Sequence, residues 1–257
     1  MNASPPSRDR WITRPRPSPR ARLRLFCLAH AGGGASMFRG WPDALPPEVE
    51  VCPVQLPGRE NRIMEPPFDR LEPLVRALAD VMDPYLSLPF ALFGHSNGAL
   101  IGFELARTLR ARGRPGPVHL FASGRRAPDL PADRPPTHHL PEAEFLADLQ
   151  ELGGIPAELL EHRELLSLLV PTLRADVAIH ETYVCAEQAP LACPITAYGG
   201  LSDPKVRRPQ LEAWGRHTAG PFVVRMFPGG HFYLQDDRAL LLRTLSTDLH
   251  RIVAGLK

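Results

Sequence analysis

Six short apolar runs punctuate the chain: "LRLFCLAH" at 23–30, "VEVCPVQL" at 49–56, "PFALFGH" at 89–95, "PVHLFAS" at 117–123, "CPITAYGG" at 193–200 and "PFVVRMF" at 221–227. Each is shorter than an ordinary helix, and Gly or Pro stands in or beside most of them. Near-continuous apolar runs of this length mark strands buried on both faces. Between them the period lengthens to that of a helix, around 69–84, 98–112, 205–219 and 236–254. In the second of these, Leu100, Phe103, Ala106 and Leu109 recur on one face. Strands alternating with helices predict an α/β fold, a mainly parallel sheet with helices on both faces.

One region breaks this rhythm. From about 131 to 189 there is no strand pattern, only short amphipathic pieces such as "EAEFLADLQELGG", "AELLEHRELLSLLV" and "PTLRADVAIHETYV", separated by Gly153, Gly154, Pro156 and Pro171. A helical insertion between two strands is a means of capping the carboxyl edge of a sheet. It is expected to be the mobile region, with Leu146, Leu149, Leu165, Leu169 and Val177 roofing a chamber or packing the insertion down. Residues 1–22 are polar and proline-rich and predict a flexible tail, in which "WIT" adds a short edge strand. The remainder, 23–257, reads as a single domain.

The chemistry concentrates in "FGHSNGALIG", residues 93–102, where Gly94, Ser96 and Gly98 fit G-x-S-x-G at the junction of a strand and a helix. A turn this tight leaves little room for a Cβ two residues to either side of the serine. It lifts the serine oxygen above the sheet and turns helix N-terminal amides toward a developing anion. A serine hydroxyl is un-ionised at neutral pH and needs a base, and the base needs a group to hold its tautomer. On such a sheet the chain order is serine, acid, histidine. Asp203 in "ITAYGGLSDPKV" follows a late strand, and His231 in "VVRMFPGGHFYL" follows the last one behind two glycines. Asp129 and Asp133 follow an earlier strand and are the competing acids. Asp176 lies mid-helix, where it lines the cap or forms a salt bridge. Of the ten histidines, only His231 matches both chain order and strand end.

A tetrahedral oxyanion needs two amide donors. Asn97, after the serine, supplies one, and the glycine-rich loop "HAGGGAS" supplies the second through Ala31. Losing such a donor costs about 3 kcal/mol of transition-state stabilisation. The triple glycine does not mark a nucleotide site, because neither G-x-x-x-x-G-K-[ST] nor G-x-G-x-x-G is present.

Composition narrows the classes further. A net charge of +2 over 257 residues, with scattered arginines, argues against nucleic acid. No uncharged run is long enough to span a membrane, and the N-terminus lacks the apolar stretch of a secretory signal. Cys27, Cys52, Cys185 and Cys193 form no C-x-x-C pair and lie in or beside apolar runs, as reduced thiols of a cytoplasmic protein do. No metal or cofactor is expected.

The chain resembles the type II (editing) thioesterases that accompany polyketide and nonribosomal peptide synthases. The resemblance runs from "RLFCLAHAGGGASMFRGW" through "VCPVQLPGRENR", "FALFGHSNGALIGFELAR", "LFASGRRAP" and "LRADVAIHETY" to "PITAYGGLSDPKV" and "FPGGHFYL". "QLPGRENR" and "GGHFYL" are far more specific than G-x-S-x-G. The resemblance implies the α/β-hydrolase fold and a monomer that hydrolyses acyl thioesters on the phosphopantetheine arm of an acyl or peptidyl carrier protein. Ser96, Asp203 and His231 match its catalytic residues, with Ala31 and Asn97 as amide donors. That family usually has an apolar residue, commonly Met or Leu, where Asn97 stands, so an amide is expected at the acyl pocket. An acidic carrier calls for cations at the mouth, and Arg59, Arg62, Arg125, Arg126, Lys205, Arg207 and Arg208 all follow strands. A general esterase or acyltransferase of the same fold stays open, as does a non-catalytic binding protein, which would have little reason to keep all three residues.

Overall fold

The computed structural model describes residues 10–132, 134–151 and 162–256. In chain order these form β1 (Leu23–Leu28), α1 (Trp41–Ala44), β2 (Val49–Pro53), α2 (Leu71–Met82), β3 (Phe90–His95), α3 (Asn97–Ala111) and β4 (His119–Ser123). Then follow α4 (Glu142–Glu151), α5 (Arg163–Glu181), β5 (Ile195–Gly200), α6 (Arg208–Glu212), β6 (Phe222–Phe227), α7 (Tyr233–Asp236) and α8 (Arg238–Gly255). The six strands lie in the order β2-β1-β3-β4-β5-β6, and every pair is parallel. All six apolar runs read from the sequence are these strands.

Alternation along the strands divides the core into two layers. Phe26, Leu28, Phe90 and Leu92 face α2 and α3, where Leu74, Leu78, Leu100 and Leu105 meet them. Leu23, Leu25, Ala91 and Phe93 face the opposite layer, with Trp41 of α1 and Leu241, Leu245 and Leu249 of α8. Covering both faces explains why the runs are apolar throughout rather than at every second residue. Burying each large side chain contributes about 1.5–3 kcal/mol, so the sheet is the stable frame. Among the described residues no helix is long and apolar enough to cross a membrane.

The expected insertion lies between β4 and β5 as α4 and α5, which share a small core of Phe145, Leu149, Leu173 and Val177. Gly153, Gly154 and Pro156 fall outside the described residues. Pro171 does not break the helical text as expected: α5 runs straight through it. Proline removes the amide that would bond the carbonyl of Ser167, four residues earlier. Both residues are exposed, so water can satisfy that carbonyl.

Within the N-terminal segment, the edge pairing expected of "WIT" is present. Trp11 and Ile12 are buried, Ile12 bridges Val54 antiparallel, and Trp11 O accepts the Gln55 amide at 2.7 Å. The Arg62 guanidinium stacks 4.3 Å over the Trp11 ring. Apolar area anchors "WIT" to the β2 edge, and residues 1–9 lie outside the described residues.

Candidate active site

Ser96 sits between β3 and α3 with φ 54° and ψ −114°, one of two non-glycine residues at positive φ among those described. Such a backbone costs about 1–3 kcal/mol and persists only where its surroundings force it. Here they do. A Cβ on Gly94 would lie 2.1 Å from Gly98 O, and one on Gly98 would lie 2.1 Å from Leu28 O. The two glycines therefore let the turn fold back on itself and press α3 against β1.

The sheet's carboxyl edge gathers the other groups. His231 Nδ1 donates to Asp203 Oδ2 at 2.8 Å, which makes Nε2 the unprotonated nitrogen of a neutral ring. Asp203 Oδ1 accepts the amides of Lys205 (2.8 Å) and Val206 (3.2 Å), so its carboxylate is fully engaged and its orientation fixed. The loops meet closely: a Cβ on Gly200 would lie 2.2 Å from Gly230 O. Ser96, His231, Ala31 and Asn97 all line one cavity of about 530 Å³.

Most amides of the glycine-rich loop are engaged within the protein. Gly32 N–H goes to Asp176, Gly33 N–H to His30 O, Ala35 N–H to Gln55 and Ser36 N–H to Glu60. Asn97 is the first residue of α3, where an amide has no acceptor within its own helix. Gly34 N–H has no such partner either among the described residues, but Gly34 does not line the cavity, whereas Ala31 and Asn97 do. The Asn97 side chain does more than face that cavity, because its Nδ2 donates to Asp176 O at 2.6 Å.

Two further imidazoles crowd His231. His95 is fully buried, its ring 5.2 Å from that of His231, with Nδ1 on Ser123 Oγ and Ser123 in turn bonded to the Tyr233 hydroxyl. Burial, and then the neighbouring His231, pushes the His95 pKa well below the ordinary imidazole value. Burial also lowers that of His30, whose Nδ1–H is held by Ala31 O at 2.8 Å. Both stay neutral at pH 7, so the site gains no fixed positive charge from them.

The cavity has an apolar side, with Leu149, Leu173 and Val177, and a charged side, where Arg134 pairs with Asp148 at 2.6 Å beside Lys205. Burial lowers the Lys205 pKa against the pull of Asp203. Of the expected roof residues, Leu149 and Val177 line the cavity, Leu146 and Leu169 pack against the α4–α5 core, and Leu165 is exposed. Leu173, His180 and Phe232 also line it and were not singled out in the sequence.

Two expected cations are corrected. Arg59 is 4% exposed and Arg62 2%, so neither can meet a partner at the surface. Arg59 is locked to Asp176 and Arg62 to Glu65 and Gln55 O, because a guanidinium shut away from water must find charge and acceptors inside. Arg125 and Arg126 line the cavity, and Arg208 is exposed and pairs with Glu212. The competing acid Asp129 pairs with Arg216 and His217, away from His231. Asp133 lies outside the described residues.

Residues 23–249 match the model of the thioesterase domain. The chain belongs to the thioesterase family. The linear gramicidin dehydrogenase LgrE of Brevibacillus parabrevis is 45% identical over 254 residues, covering 98% of this chain and 97% of that protein. This chain carries no dinucleotide fingerprint to go with the word dehydrogenase in that name. The solved structure of RedJ, a thioesterase of the prodiginine pathway in Streptomyces coelicolor, superposes with TM-score 0.82 at 42% identity, covering 94% of this chain and 99% of that one. BorB, a type II thioesterase from the borrelidin cluster, gives TM-score 0.82 at 35% identity, covering 97% and 98%. The α/β-hydrolase fold and the resemblance to type II thioesterases are borne out.

Proposed function

We propose that this thioesterase removes acyl groups from the phosphopantetheine arm of acyl or peptidyl carrier proteins through a Ser96–His231–Asp203 triad. The carrying observation is the Asp203–His231 hydrogen bond at 2.8 Å, on an imidazole that lines the same cavity as the strained Ser96. Ser96 Oγ attacks the thioester carbon while His231 Nε2 takes its proton, and Asp203 stabilises the imidazolium. The carbonyl oxygen becomes an oxyanion and accepts the amides of Ala31 and Asn97. Collapse breaks the C–S bond, and His231 returns the proton to the departing thiolate. A thiol of pKa about 8.5 leaves with less proton assistance than an alkoxide. Water then attacks acyl-Ser96 with His231 again as base, releasing the acid and restoring the hydroxyl.

The cavity's apolar side suits an acyl chain, and Arg125, Arg126, Lys205, Arg207 and Arg208 are the remaining candidates to meet an acidic carrier. Relatives named for gramicidin and prodiginine pathways favour an editing role, clearing stalled or wrongly primed chains. The four cysteines are free, in keeping with a cytoplasmic enzyme, and a monomer suffices for the chemistry. Incubation with acyl-carrier proteins followed by mass spectrometry should find the acyl group on Ser96, and Ser96→Ala should abolish release. Turnover should be faster on carrier-bound acyl groups than on the same groups on coenzyme A or N-acetylcysteamine. Faster turnover of simple esters would instead make the chain a general esterase.

A further inference from the structure

Asp176 of α5 is 2% exposed and touches both sides of the oxyanion site at once. Its Oδ2 accepts Gly32 N–H at 2.7 Å and Arg59 Nη1 at 2.7 Å, while Oδ1 accepts Arg59 Nη2 at 2.9 Å. Its backbone carbonyl accepts Asn97 Nδ2 at 2.6 Å. One residue of the helical insertion thus holds the neighbour of Ala31 and the side chain of Asn97.

The loop bond has a particular geometry. Ala31 C=O and Gly32 N–H belong to one peptide unit. His30 Nδ1–H grips the carbonyl edge at 2.8 Å and Asp176 grips the amide edge. A glycine-rich loop left to itself samples many backbone states; a plane pinned from both edges does not. The bond to Asp176 is charge-assisted and therefore about twice as strong as a neutral one. Arg59 also donates to Gly33 O at 3.3 Å, tying the loop a second time.

We propose that Asp176 is a positioning residue that aligns both oxyanion donors, with Arg59 holding its carboxylate in place and Asn97 completing the link. The proposal rests on the reading of Ala31 and Asn97 as those donors. It places Asp176 outside the reacting atoms: it acts through the Ala31–Gly32 peptide and through Asn97. It also makes the C-terminal half of α5 a fixed wall of the site, a role reinforced by the bond from Thr172 Oγ1 to Gly58 O.

The test compares groups that create an oxyanion with groups that do not. An acyl trifluoromethyl ketone forms a hemiketal oxyanion on Ser96, whereas the alkyl thioether of the same length occupies the cavity without one. Asp176→Asn should lower kcat on an acyl-N-acetylcysteamine thioester about 100-fold, the scale of losing an oxyanion donor. It should weaken the ketone by a similar factor and leave KM and thioether affinity within twofold. Asn97→Ala should show the same pattern at about tenfold. Where Asp176→Asn leaves Arg59 stranded and fails to fold, the Asp176→Asn/Arg59→Gln pair removes both charges, and Asn97→Ala carries the test alone. Equal loss of ketone and thioether affinity, or kcat within threefold of the parent, overturns the proposal. If the parent enzyme forms no ketone adduct at Ser96, the triad reading falls with it. An adduct that all variants form equally well sinks the positioning role alone.

Discussion

Asp203 and Asp176 are both buried carboxylates, each holding a nitrogen side chain and at least one backbone amide, yet they lie in different regions and serve different ends. Asp203 stands in a loop after β5 and faces an imidazole at the cavity wall, the proposed proton carrier. Asp176 stands inside α5 and faces a guanidinium that is permanently charged. The first partner can pass protons to a substrate. The second can only hold position. A buried acid is thus read by what its partner can do, and by whether that partner opens onto the cavity.

The sharpest way to break this comparison is kinetic. Asp203→Asn should lower kcat by about 10⁴, since the amide favours the wrong imidazole tautomer. That is about a hundredfold beyond the loss expected for Asp176→Asn. Asp129→Asn should stay within twofold of the parent. A crippled Asp129 variant beside a mild Asp203 variant would reassign the acid.

Next in size is the elbow, where backbone rather than charge does the positioning. Gly98→Ala must push Leu28 O from a 2.1 Å contact, so α3 lifts from β1. Loss of about 4 kcal/mol or more in urea unfolding is expected, with activity lost in the fraction that stays folded. Normal stability and full turnover would show that the elbow relaxes freely.

The α5 region should also respond to acid in a way the Asp203 loop does not explain. Burial lowers the His180 pKa to about 4, from an ordinary value near 6.5. Between those values the unfolded chain binds the proton and the folded chain does not. This contribution is therefore complete above about pH 6.5 and is lost as pH falls toward 4, at up to about 1.4 kcal/mol per pH unit. His119, lowered to about 4 by burial, adds a loss of the same sign. Urea midpoints measured from pH 7 to 4.5 should fall less steeply for His180→Gln than for the parent. Parallel curves would remove His180 from the acid response.

The smallest effect belongs to the rim. Arg208 is exposed and lies two residues beyond Val206, which lines the cavity. Arg208→Glu should raise KM for an acyl-carrier protein about tenfold at low salt, shrinking as salt rises. N-acetylcysteamine thioesters should be hydrolysed as before. Equal losses on both substrates would tie Arg208 to the chemistry or the fold.

The sequence alone determined much of this protein. Strand runs, helix periods, the G-x-S-x-G turn and the order Ser96, Asp203, His231 are local signals, because each depends on neighbours a few residues away or on the end of a strand. A glycine whose Cβ would strike the chain four residues on is legible in five letters. What only the tertiary structure decided are pairings over long separations. Arg59 looked like a rim cation because it follows a strand, but it meets Asp176, 117 residues away, in the interior. Asp176 showed only a faint signal, an acid within the buried face of "TLRADVAI", and no spacing rule names its partners. Trp11 is anchored by Arg62 in the same manner. Burial of charge is a property of where chains meet, and the meeting is set by the packing of the whole sheet and its helices.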